Sequence, residues 1–177
     1  MKDLTKIEIG EFKVNATVIR VTDPCYDPKT TPDRCFTKVY GMKKGTYECY
    51  AMQSDEGSWG KRIAELHIRL KGSNPLGERY VGGACVDSGQ CGFFLANKFR
   101  KIYEGEDHGE AFYEKACEIT LDADRNRCGI IDGVGVLSES GYGDGMYGVY
   151  AEIDENKDVV GLILEFIDAD EDDEEDW

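Results

Sequence analysis

Gly141-Tyr142-Gly143-Asp144-Gly145-Met146-Tyr147-Gly148-Val149-Tyr150-Ala151 decides the fold class. Its alternate glycines accept positive φ without steric cost, so the first five residues form a tight turn. From there Tyr147, Val149 and Ala151 alternate with Met146, Gly148 and Tyr150, the two-residue period of a strand. Two shorter stretches repeat the order of acidic residue, turn residue and strand. They are Thr22-Asp23-Pro24-Cys25-Tyr26 and Val86-Asp87-Ser88-Gly89-Gln90-Cys91-Gly92-Phe93. The chain is expected to bring these three turns together.

Outward from that stretch the pattern stays β. Residues 146–153 and 158–166 flank a polar hairpin loop, and Val160, Leu162, Leu164 and Phe166 form one apolar face of the last strand. Residues 129–137, rich in Ile and Val, read as one strand leading into the glycine turn. Residues 62–70 alternate, with Ala64, Leu66, Ile68 and Leu70 inward and His67 among solvated residues on a wet face. A strand over 79–86 turns at 87–90, and 91–95 pairs back on it. Residues 46–52 form another strand, and 6–22 form a hairpin or bent strand pair. Pro24 ends that pair, because proline cannot donate to a ladder. The loop of residues 25–35 holds Pro28 and Pro32 and is long enough for a lid or an ordered Ω-type loop. The one credible helix lies near 109–121, where Phe112, Ala116 and Ile119 share a face, while 97–103 is a short helical turn. Strand and helix units do not alternate, which argues against a parallel sheet. The expected fold is mainly β: an antiparallel β-sandwich or open barrel of about eight or nine strands with one helix.

Composition agrees with one folded domain over residues 1–167. The chain has 177 residues, of which 41% are hydrophobic, enough for a sizeable core. The net charge of -15 is uneven, because residues 168–177 alone hold eight carboxylates. Such a block repels itself and reads as a disordered or extended tail. Its simplest role is solubility; the sharper reading is an acidic arm that docks on a basic partner with Trp177 as an anchor. No basic face is evident, which disfavours direct binding of nucleic acid. Cysteines stand at 25, 35, 49, 85, 91, 117 and 128. An odd count without an apolar leader, and without a run of membrane length, points to reduced thiols in a cytoplasm. C-x-x-C pairs are absent and His67 and His108 stand apart, so neither structural zinc nor another cofactor is expected.

The combination of T-D-P-C-Y, V-D-S-G-Q and S-G-Y-G-D-G-x-Y, followed by a last strand ending in Phe166, resembles the bacterial and phage family known as domain of unknown function 4241. In that family a D-P motif, a D-x-G motif and a G-D-G-x-Y motif recur together. Their counterparts are Asp23-Pro24, Asp87-Ser88-Gly89 and Gly143-Asp144-Gly145 with Tyr147. The resemblance spans residues 10–166; the helix around Phe112 and the loop after Cys25 have no counterpart in it. It implies a bacterial or phage origin and brings no activity with it.

Asp23, Asp87 and Asp144 each sit at a strand end beside a turn residue. Brought together, they would form an oxygen-rich site for a hard cation, or a carboxylate pair with divided acid and base roles. Tyr26, Ser88, Gln90, Tyr142 and Tyr147 are the ligand-binding candidates around them. Cys25 or Cys91 as a nucleophile would need a base, and neither histidine lies in a motif. The architectural reading is that D-P, D-S-G and G-D-G are turn chemistry, with each carboxylate accepting from nearby amides. No nucleophile elbow, phosphate loop or dinucleotide spacing is present. The leading expectation is a non-enzymatic binding protein acting through protein–protein contacts in bacterial or phage biology, such as phage–host conflict. The alternative is a protein that binds a small ligand or divalent metal, or a hydrolase, using Asp23, Asp87 and Asp144.

Overall fold

The computed structural model describes residues 2–170, so the acidic stretch from 171 to Trp177 lies outside the described residues. Among the described residues eleven strands form two antiparallel sheets. The larger sheet has the order β1 (Leu4–Val14), β4 (Gly45–Asp55), β5 (Lys61–Leu70), β11 (Val159–Glu165), β10 (Gly145–Ile153), β6 (Gly77–Val86). The smaller has the order β3 (Thr37–Val39), β2 (Ile19–Thr22), β7 (Gln90–Leu95), β9 (Gly135–Glu139), β8 (Cys128–Ile131). The sheets pack face to face over one core that includes Tyr47, Leu66, Ile68, Phe93, Val149 and Leu162, all fully buried. The sandwich is closed at its sides by side chains. Thr37 Oγ1 of β3 donates to the Gly83 carbonyl of β6 at 2.8 Å, and Ile130 of β8 lies against Gly10 of β1.

The two outer faces differ. Helices α1 (Ala96–Tyr103) and α2 (Glu110–Thr120) cover the smaller sheet, and Phe94, Phe99, Tyr103, Phe112, Ile119 and Leu137 form a second apolar cluster there. Ala96, Phe99 and Tyr103 recur at spacings of three and four, so the 97–103 segment is a full helix rather than a turn. Neither of these α-helices packs on the larger sheet, and among the described residues α1 and α2 are the only α-helices. None of them is long and apolar enough to cross a membrane.

Several sequence expectations are corrected. Among the described residues there are eleven strands rather than eight or nine, and two α-helices rather than one. Residues 129–137 hold two strands, because Asp132 and Gly133 both take positive φ (50° and 64°) in a tight hairpin turn between β8 and β9. The 6–22 segment does not pair with itself: β1 pairs with β4, while β2 pairs with β3 and β7 in the other sheet. Likewise β6 and β7 do not pair; the turn at 87–90 carries the chain from one sheet to the other. Both apolar faces are satisfied by crossing, since the inward residues of either strand reach one shared core. The seven cysteines form no disulfide.

Candidate functional site

The three acidic turns meet. Asp23 ends β2, Asp87 and Ser88 lie in the β6–β7 turn, and Asp144 stands just before β10. Asp23 is fully buried, and its carboxylate accepts four hydrogen bonds. Oδ1 takes the Cys25 amide at 2.8 Å and the Ser88 hydroxyl at 2.6 Å; Oδ2 takes the amides of Asp87 at 2.9 Å and Ser88 at 2.7 Å. A buried carboxylate with this set of donors is satisfied by its own chain. Asp87, exposed, accepts the Tyr26 hydroxyl at 2.7 Å, and Asp144, also exposed, accepts the Gly89 amide at 3.1 Å. All three aspartates therefore bind the residues 87–89 or their cover, and the turn that crosses between sheets is held from both sides.

The other candidates divide. Tyr26 and Ser88 belong to this junction. Gln90 is buried and turns toward α2, where Thr120 Oγ1 donates to its Oε1 at 3.0 Å and its Nε2 meets Cys117 Sγ at 3.4 Å. Tyr147 packs edge-on against Phe166 and donates to the Gly143 carbonyl. Tyr142 is on the surface, donating to Glu56 with Trp59 and Arg62 beside its ring. Gln90 and Tyr142 bond away from the aspartates, while Tyr147 binds the residue next to Asp144.

The chemistry available at the junction is limited. Burial, then the Asp23 charge, pushes the Cys25 thiol well above its ordinary range, and burial does the same for Cys91. Burial and the Asp87 hydrogen bond likewise raise the Tyr26 phenol. A thiol held neutral is a poor nucleophile. His108 is exposed in the turn before α2, and His67 is on the far side of the larger sheet. No group of three or more His, Cys, Asp or Glu side chains among the described residues is arranged to hold a metal ion. Beside the junction a depression of about 340 Å³ lies between the 25–35 loop and Asp87.

A second surface went unread in the sequence. Register carries one row across the outer face of the larger sheet: Glu8, Tyr50, His67, Ile163, Tyr150 and Tyr80. Tyr50 stacks on His67 with ring centres 4.5 Å apart, and Tyr80 meets Tyr150 edge-on at 5.7 Å. His67 is thus not solvated as expected; it is 7% exposed, wedged by Tyr50 with its Nε2 2.6 Å from Glu65. Tyr80 is 63% exposed and Met146, on the same side of β10, 61%. The signal was the alternation of Met146, Gly148 and Tyr150 against the core positions, which marks a second, aromatic face.

Carboxylates crowd this face. Burial, followed by Asp168, Glu65, Glu78 and Asp170, holds the Glu165 carboxyl above the ordinary carboxylate range. The folded state therefore binds this proton more tightly than the unfolded chain. The contribution favours the fold below the unfolded value of about 4.3 and is lost as pH rises through the higher folded value. Glu165→Gln is expected to raise the melting temperature at neutral pH, with the two proteins converging near pH 4. Thermal melts across that range check it, and a variant that melts lower at neutral pH contradicts it.

No protein-family model matches the chain, and comparison with curated proteins and with solved structures likewise finds no match.

Proposed function

We propose that this is a non-enzymatic binding protein that acts through contacts with another protein. The observation carrying this reading is the uncovered outer face of the larger sheet, where Tyr80 and Met146 stand exposed beside Tyr150. The opposite sheet buries its outer face under two helices, so the fold has a means of covering a sheet and applies it on one side only. Exposed aromatic and methionine side chains grouped on a rigid sheet are the composition of interface anchors. Enzyme chemistry has less support, because the junction of the three aspartates spends its buried carboxylate on four internal donors. The motif resemblance supports a setting in bacterial or phage biology, such as phage–host conflict, and the free thiols suit a cytoplasm.

Affinity capture from native host cells tests the reading, using the intact chain and the double variant Tyr80→Ala/Tyr150→Ala. A protein retained by the intact chain and lost from the variant is the expected result. Equal recovery by both, or no recovery by either, overturns it.

A further inference from the structure

Resting on that reading, we infer the class of partner: the Tyr80–Tyr150 face of the larger sheet docks an arginine-bearing basic segment of another polypeptide. Tyr80 and Tyr150 present one ring edge-on to the other, with Glu165 paired to Gly148 and Glu78 paired to Glu152 in the adjoining rows. Two cations on this sheet, Arg69 and Lys6, are engaged elsewhere. Arg69 holds Glu152 in a two-pronged pair at 2.6 and 3.1 Å, and Lys6 lies over Tyr50. Among the described residues no lysine or arginine pairs with Glu78 or Glu165.

The charges of Glu78 and Glu165 on this face are therefore left without a paired lysine or arginine, and the chain itself adds to them. Asp168 and Asp170 follow β11 closely enough to act on Glu165. A second copy of this chain would bring like charge to the same place. The face needs a cation.

Aromatic rings beside unpaired carboxylates select a guanidinium over an ammonium. Arginine stacks on a ring with its plane while its fork of donors meets a carboxylate, whereas lysine offers a hydrated point charge. Nucleic acid and anionic lipid are excluded by the sign of the charge.

The test uses the full chain and a short fluorescein-labelled oligo-arginine peptide, followed by fluorescence anisotropy at low and at physiological salt. Binding to the intact chain is expected to weaken with salt, as screening requires. Glu78→Gln/Glu165→Gln should weaken it roughly tenfold or more, and Tyr80→Ala should weaken it without any change of charge. The control pair Glu114→Gln/Glu118→Gln removes the same charge from α2, which covers the other sheet, and should stay within about twofold of the intact chain. Equal loss from both pairs would mean diffuse attraction to an acidic protein and would overturn the inference, as would no binding to the intact chain. If the peptide fails while capture of a cellular partner still requires Tyr80 and Tyr150, the basic class is wrong and the docking face stands. If both fail, the face is not a docking surface.

Discussion

Asp23→Ala should leave the protein barely folded. The substitution removes the acceptor for three backbone amides and the Ser88 hydroxyl at the turn that joins the two sheets. Each half-buried donor left without a partner costs about 1–3 kcal/mol, so a loss of about 3–5 kcal/mol is expected. Folded domains are commonly stable by only about 5–15 kcal/mol. Ser88→Ala keeps the amide bonds and loses one charge-assisted hydroxyl bond, an expected cost of about 1.5–3 kcal/mol. Asp144→Asn retains an acceptor oxygen for Gly89 at an exposed position and should cost under about 1 kcal/mol. Urea unfolding followed by far-ultraviolet circular dichroism gives the ranking. An Asp23→Ala protein as stable as the parent would mean that the clasp does not hold the crossing turn, and would return Asp23 to the list of site carboxylates.

The second large effect is at Gly135→Ala. β7 and β9 lie side by side in the middle of the smaller sheet, with Gly135 opposite Phe94 and Gly92 opposite Leu137. A Cβ on Gly135 would stand 2.2 Å from the Phe93 carbonyl oxygen and 2.6 Å from Phe94 Cδ1; one on Gly92 would stand 2.4 Å from the Val136 carbonyl oxygen. The two carbonyl contacts are to backbone, which no rotamer change relieves. The strands must separate, straining a ladder of five paired positions and the Phe94–Phe99–Phe112 cluster above it. A cost of about 3 kcal/mol or more follows. Gly133→Ala is the comparison: open space surrounds its Cβ position, and only its positive φ of 64° penalises a side chain, by about 1 kcal/mol. Denaturation midpoints of the two variants separate close approach from backbone preference. Equal midpoints would mean that the sheet gives way without loss.

Opposing demands meet at Glu165. Its crowding by Asp168, Glu65, Glu78 and Asp170 lowers the stability of the free protein at neutral pH, yet the same charge is what a guanidinium would relieve. A substitution that stabilises the fold there is therefore expected to weaken docking, the common relation between a binding surface and the fold that carries it.

By itself the sequence determined the class of the fold and much of its layout. Two-residue periods over 46–52, 62–70, 146–153 and 158–166 name the strands that occupy the centre of the larger sheet, because alternation along a strand follows from the pleat alone. Phe112, Ala116 and Ile119 located α2 by the same kind of local geometry. The shared character of the three acidic turns also foretold their meeting. Pairing partners were a different matter. Residues 6–22 and 79–95 each look like hairpins, and only the closure of two faces on one core sends β1 and β6 into one sheet and β2 and β7 into the other. A short turn and alternating strands are compatible with both outcomes, so local pattern cannot choose between them. The fate of Asp23 was equally nonlocal: three of its four donors, the Asp87 amide and the Ser88 amide and hydroxyl, reach it only because the folded chain carries the 87–88 turn to it across more than sixty residues. Tyr80, Tyr150 and Glu165 are likewise spread over three strands and become one face through sheet order alone, since backbone hydrogen bonding, not sequence distance, decides which side chains stand together.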